Sequence, residues 1–222
     1  MEKIIDIVKA KSYFEEYSKW LSQQQKPDIE ILQGIYSQKL IEIKTGEVDM
    51  AGPLWPKLDD NQIYIGGYWE NRIIGATDAN IAKDNEMRTL HMGLDFFAPA
   101  KTPIYLPLMG KVHSFKNNDN PRDYGPCIII EHEATFGKFY SLYGHLDLSS
   151  LNGLQKGQKI NLGDKIGNLG DKKENGGWPP HLHFQLILDI KNKEGDFDGL
   201  CRPIDANYWQ YICPSPYDFL GL

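Results

Sequence analysis

The rhythm of apolar and polar positions changes once along this chain, near residue 46. Before it, Ile4, Ile7, Val8, Phe14, Tyr17 and Leu21 fall at roughly helical spacing, the mark of a helix with one apolar face. The spacing predicts an amphipathic helix over residues 3–24, ended by Lys26-Pro27-Asp28, that covers another surface. Residues 29–45 fit a second helix and a strand equally well. From Gly46 onward, Pro53, Pro56, Pro99, Pro103 and Pro107 punctuate short apolar runs, as do Gly-Asp and Asn-Gly steps. Such punctuation favours strands and turns.

Strands are predicted over residues 104–115, 126–132, 136–143, 158–162, 165–169 and 181–190. Cys127-Ile128-Ile129-Ile130 has no polar face, so it belongs in a central strand covered on both sides. Residues 154–167 repeat a short strand and a Gly turn. They are not a phosphate loop, because no helix pattern follows and no Lys-Ser/Thr pair closes the motif. The tail from Lys191 carries Asp196, Asp198, Pro203, Pro214 and Pro216 and reads as an irregular wrap. The organisation is then a helical arm over 1–50 and a β-rich domain over 51–222. The motif-bearing core of that domain runs over about 88–189, followed by a wrap over 190–222.

Composition narrows the function classes. A chain of 222 residues builds one domain with a core and an arm, not two full domains. Lys plus Arg number 24 against 30 Asp plus Glu, a formal net charge of −6, with no basic run. A grip on phosphate backbones needs a basic stripe, so no nucleic-acid partner is expected. The three cysteines, Cys127, Cys201 and Cys213, are not a disulfide framework. Cys201 and Cys213 have the option of pairing, but nothing requires it. No apolar run approaches the ~20 residues of a membrane span. The first nine residues mix charges with apolar side chains, unlike a secretory signal. The expectation is a cytoplasmic protein, or a periplasmic or secreted one if a signal was removed.

Candidate chemistry lies in the histidines. His181-Leu182-His183-Phe184 alternates, so on a strand both imidazoles share one face while Leu182 and Phe184 enter a core. His91 and Asp95 are four positions apart; on a straight strand their Cα atoms would be roughly 13 Å apart. One ion bound at ~2.0–2.2 Å would require a bend, which Gly93 at the midpoint permits. Taken together, His91, Asp95 and His183 form a two-His, one-carboxylate set. That set suits Zn²⁺ and leaves an open position, the mark of a catalytic rather than a structural site. His145, in Tyr143-Gly144-His145-Leu146, and His181 remain for orienting or proton-transfer work. His132, after an apolar strand, reads as a hydrogen-bonded structural residue, and His113 as a solvent or groove-rim residue. Trp55, Trp69, Trp178, Tyr105, Tyr124 and Tyr143 read as packing or groove-wall residues.

The order H-x-x-x-D, then Y-G-H-L, then H-L-H-F resembles the lysostaphin-type (LytM-type) zinc metallopeptidases, which cut peptide bonds in peptidoglycan. Gly93-Leu94-Asp95-Phe96, Pro103-Ile104-Tyr105, Ile128-Ile129-Ile130-Glu131-His132 and Gly163-Asp164-Lys165-Ile166-Gly167 extend the resemblance over about residues 88–189. It implies a mainly β fold, an antiparallel β-sheet core around a central groove (a barrel-sandwich hybrid), with the helical arm added. It implies one zinc ion on His91, Asp95 and His183, with His145 and His181 flanking the attacking water. The implied activity is zinc-dependent hydrolysis of peptide bonds in peptidoglycan peptides or fragments. No H-E-x-x-H is present, so a carboxylate base of that type is unavailable.

Three departures from the family text matter. Gln185 stands where Glu is frequent, which implies retuning of the site. The approach to His181, Asn175-Gly176-Gly177-Trp178-Pro179-Pro180, is stiff and aromatic; Trp178 fits a groove wall and an inward anchor equally. The missing signal favours a cytoplasmic small-amide hydrolase as an alternative. Two further alternatives are a non-catalytic module binding a partner or glycan, and a latent enzyme plugged by the arm at 1–50 or by residues 78–85.

Overall fold

The run Cys127–Ile130 lies where its lack of a polar face requires, in an interior strand. The computed structural model describes residues 2–45, 50, 55–72 and 87–222, with side chains from residue 6 onward. The strands are β1 Ile41–Ile43, β2 Tyr64–Gly66, β3 Leu90–His91, β4 Leu94–Phe97, β5 Pro103–Tyr105 and β6 Gly110–Asn118. They continue with β7 Gly125–Ala134, β8 Gly137–Gly144, β9 Lys159–Ile160, β10 Lys165–Asn168, β11 His181–Ile187 and β12 Leu200–Cys201. Eight of them form one sheet in the order β1-β2-β4-β11-β8-β7-β6-β9, while β10 pairs with β5 and β12 with β3. Among the described residues only β1–β2 is parallel, so the expected mainly β, largely antiparallel fold is the observed one.

Alternation along the central strands divides the interior. Ile128 and Ile130 of β7, and Leu182, Phe184 and Leu186 of β11, enter one core cluster. Cys127, Ile129 and Leu142 enter the other, with Met92 and Phe197. On β11 the second face carries His181, His183 and Gln185, all buried. The i, i+2 rule thus places three polar side chains in a row beside an apolar cluster.

Helix α1, Glu2–Leu21, packs onto the β7–β8 hairpin. Tyr17 and Trp20 lie 6.0 and 5.3 Å, ring to ring, from Phe139. The covering stripe is Ala10, Tyr13, Phe14, Tyr17, Trp20 and Leu21. Val8 is not part of it and is 63% exposed, because nine steps of about 100° place it opposite Tyr17. Ile4 lies outside the described side chains.

Two other expectations change. The predicted strand 104–115 is broken, since β5 ends at Tyr105 and β6 begins at Gly110; Pro107 between them has no amide to give a ladder. The tail is more regular than a wrap. It contains α2, Ala206–Ile212, and α3, Pro216–Leu220. Ser215 accepts from the Tyr217 amide at the start of α3, with Pro216 in its first turn, a position where proline starts helices rather than ending them. Cys127, Cys201 and Cys213 are free and buried. Among the described residues, no helix is long and apolar enough to cross a membrane.

Candidate metal centre

Adjacent strands bring the predicted ligand set together. The β4–β11 register puts Asp95 directly opposite His183, and the turn at Met92-Gly93 returns His91 to the same point. His91 Nε2 is 2.9 Å from His183 Nδ1, and Asp95 Oδ1 lies 3.1 Å from His183 Nδ1 and 3.3 Å from His91 Nε2.

The protons of both imidazoles are committed elsewhere. His91 Nδ1 donates to the Gly67 carbonyl at 3.0 Å, which leaves Nε2 as a lone pair. The Gln185 amide nitrogen donates to the Asp198 carbonyl at 3.1 Å, so its Oε1 faces His183 Nε2 at 2.9 Å and accepts that N–H. His183 Nδ1 is then a lone pair too. Three acceptor atoms converge with no proton among them, an arrangement that calls for a cation. The residues fit one zinc ion: two neutral imidazoles and one carboxylate, each second nitrogen held by an acceptor. Gln185 therefore does the orienting work expected of the position, with an amide in place of a carboxylate.

Electrostatics support the same protonation states. Burial holds His91 down to about 4, and Arg72 adds to that effect. For Asp95, burial pushes the carboxyl upward, but Arg72 and the neighbouring histidines outweigh it and hold it well below the usual range. Arg72 Nη1 stands 2.7 Å from Asp95 Oδ2, and its Nε lies 3.3 Å from Glu70, which accepts from Thr45. Sequence reasoning missed Arg72. No motif marks it; Gly66 is the residue opposite Asp95 in the β2–β4 pair, and Arg72 is placed by the bridge of Asn71 to Leu90 and by its own amide, which donates to the Thr89 carbonyl at 2.7 Å.

His145 and His181 stand beside this triad, their ring centroids 4.2 Å apart. His145 Nδ1 donates to the Asn175 carbonyl at 3.0 Å and His181 Nδ1 to the Pro179 carbonyl at 2.7 Å. Both Nε2 atoms are lone pairs, and His181 Nε2 is 3.9 Å from Asp95 Oδ2. Burial lowers both pKa values, His145 well below its ordinary value. His145 adopts a left-handed backbone, φ 63°, a strained conformation for a non-glycine residue of the kind found at functional sites. It persists because its amide donates to Tyr124 and its carbonyl accepts from Gly170, each at 2.9 Å.

All five residues line one cavity of ≈ 320 Å³. Trp178 lines it as well, while its indole N–H donates to the Asp123 carbonyl at 3.2 Å; the ring is both wall and anchor. Buried Asn175 organises the loop, accepting from the Trp178 amide at 3.0 Å. Tyr124 also lines the cavity, its hydroxyl 3.4 Å from His183 Nε2. Among the described residues none of α1 lines it, although Thr45 and Met50 do. Residues 78–85 lie outside the described residues. His132 is buried between the Met109 carbonyl and Ser141, away from the site. His113 is half-buried against Ser114 and Tyr140.

Two expected results follow from this geometry. A Cβ on Gly93 would stand 2.7 Å from His183 Cε1 and Nε2 and 2.8 Å from the Phe184 carbonyl. Gly93→Ala should displace the His183 ring and weaken zinc binding by ~10–100-fold, read by competition with a chromophoric chelator. Unchanged affinity would mean that the turn has room to spare. The second concerns acid. An unfolded imidazole takes its proton near 6.5, whereas burial holds folded His91 and His132 down to about 4. Between those values the unfolded chain binds more protons, so stability rises with pH. Metal-free protein should lose Tm steadily as pH falls through that window; calorimetry showing a flat Tm would refute it.

Comparison with known proteins places the motif-bearing segment. Residues 89–195 match the profile of Peptidase family M23. Peptidoglycan DD-endopeptidase ShyA of Vibrio cholerae is 35% identical over 98 residues, covering 44% of this chain and 20% of that protein. The uncharacterized lipoprotein YgeR of Escherichia coli is 34% identical over 94 residues, covering 42% of this chain and 33% of that protein. The chain thus spans between a fifth and a third of the length of these curated relatives. A solved structure of a zinc-containing peptidase from Vibrio cholerae is 32% identical, covering 44% of this chain and 27% of that one, with a TM-score of 0.35.

Proposed function

We propose, from the match of residues 89–195 to peptidase family M23, that this protein is a zinc-dependent hydrolase of peptide bonds acting on peptidoglycan peptides or their fragments. The observation that carries the reading is the meeting of His91 Nε2, Asp95 Oδ1 and His183 Nδ1 without a proton among them. The substrate class is supported by the activity named for the Vibrio cholerae relative.

In this reading His91, Asp95 and His183 hold the ion, which supplies Lewis acidity, acidifying water and polarising a carbonyl. His145 or His181 accepts the proton of the attacking water at Nε2, since each Nδ1–H is already donated to a backbone carbonyl. The same imidazole then delivers that proton to the departing amine nitrogen. The second imidazole, neutral and with its Nε2 lone pair free, orients the water by accepting its other O–H. Gln185 and Arg72 keep His183 and Asp95 oriented through the cycle. Trp178 gives the peptide a flat face along the cavity.

The test is hydrolysis of purified peptidoglycan and of short glycyl and D-alanyl peptides, before and after chelation. The account expects cleavage that a chelator abolishes and zinc restores. Zinc-loaded protein that cleaves none of these substrates would overturn it.

A further inference from the structure

We propose that a second cavity, lined in part by Pro179 and Pro180, binds an uncharged sugar ring. It encloses ≈ 370 Å³ and is walled by Trp55, Tyr64, Phe97 and several prolines, a size within the ~300–1,000 Å³ of small-molecule sites. The inference rests on the peptidoglycan reading above for its link to catalysis. Its binding chemistry stands on the pocket alone.

Three features select a sugar. First, the wall is aromatic and layered. Trp55 lies 5.1 Å from Phe97, ring to ring, and Phe97 stacks on His181 at 4.9 Å and 23°. A flat amphipathic ring such as the Trp55 indole packs against the C–H face of a pyranose while the sugar's hydroxyls keep polar contacts at its edge. Second, such contacts are present. Asp60 and Gln62 line the cavity, and among the described residues neither side chain has a hydrogen bond or ion pair. The planar amide of Gln62 offers both a donor and an acceptor. Third, the charges balance. Lys57 and Lys172 offset Asp59 and Asp60 around the cavity, so an ionic ligand gains no net attraction, and a neutral polyol or N-acetylated sugar loses none.

The pocket is also placed to matter for the reaction. Pro179 belongs to its wall, and the Pro179 carbonyl fixes the His181 tautomer. Phe97 lines this cavity and stacks on His181, which lines the other. A polymer carrying both sugar and peptide would therefore engage both cavities, with the glycan held here and the peptide beside His145 and His181.

The experiment titrates the zinc-loaded full chain with a trisaccharide of N-acetylglucosamine by calorimetry. Hydrolysis of a sugar-free peptide is measured alongside. Saturable binding is expected for the wild type, weakened roughly tenfold in Trp55→Ala and several-fold in Gln62→Ala. Gln62→Ala should cleave the sugar-free peptide at the wild-type rate, whereas Trp55→Ala, which takes a ring from the Phe97–His181 stack, is read by binding alone. No saturation by about 10 mM trisaccharide, or equal binding by the wild type and both variants, would overturn the proposal. Trisaccharide binding without cleavage of any peptide would sink the hydrolase reading and leave the sugar site standing. Cleavage without trisaccharide binding would do the reverse.

Discussion

Alanine at His91, Asp95 or His183, one position at a time, is expected to strip the metal and bring hydrolysis to background. Each residue supplies one of three acceptor atoms that lie 2.9–3.3 Å apart. Structural zinc sites bind with roughly 10–16 kcal/mol spread over their ligands, so one lost ligand should weaken the ion by ~10²–10⁴-fold. The three variants should differ in stability. Asp95→Ala removes the carboxylate 2.7 Å from Arg72 Nη1 and leaves that guanidinium with Glu70 as its remaining ion-pair partner among the described residues, a defect that costs less than the about 3–5 kcal/mol of a buried charge left with none. His183→Ala frees only the neutral amide of Gln185. Metal analysis and thermal melts on all three separate the effects: zinc lost throughout, with the largest drop in Tm for Asp95→Ala. Retention of a full equivalent of zinc by any of them would remove that residue from the ligand set.

His145→Ala and His181→Ala should behave differently, keeping the metal and losing the rate. Their Nε2 lone pairs face the cavity, but they stand outside the three-atom cluster. Loss of the proton acceptor, or of the lone pair that orients the water, costs ~10²–10⁴ in kcat. KM should move little, because neither ring is the main surface against which the peptide lies. His145→Ala carries a second consequence: the left-handed backbone at φ 63° remains, now with an alanine that has no ring to pack there. A modest fall in Tm is therefore expected for it alone. Release of zinc by either variant would make that histidine a ligand and change the proton-transfer assignment.

The legible part of this molecule follows from short-range geometry. His181 and His183 are two apart on a strand, so their shared face was fixed by backbone period, and Leu182 and Phe184 do enter the core. His91 and Asp95 needed a bend, and Gly93 supplies it, with a Cβ there blocked by His183. Cys127–Ile130 had no polar face and lies in the sheet interior. What the sequence hid depends on contacts between distant segments. Arg72 meets Asp95 because residues 71 and 72 run beside Leu90 and Thr89, and nothing local to Arg72 announces that. The Asn175 and Pro179 carbonyls, which set two tautomers, are backbone groups and leave no residue-type signature. The tail misled because Pro203 and Pro216 read as breaks, whereas each sits in the first turn of a short helix. Val8 misled because it is apolar yet half a turn from the stripe that packs.

Anomalous X-ray scattering at the zinc edge, from crystals of the protein loaded with one equivalent of zinc, tests the central claim most directly. The account predicts a single strong peak at about 2.0–2.2 Å from His91 Nε2, His183 Nδ1 and an Asp95 carboxylate oxygen, with His145 and His181 unliganded beside it. A peak at another set of side chains, or no peak between these three residues in loaded crystals, would contradict it.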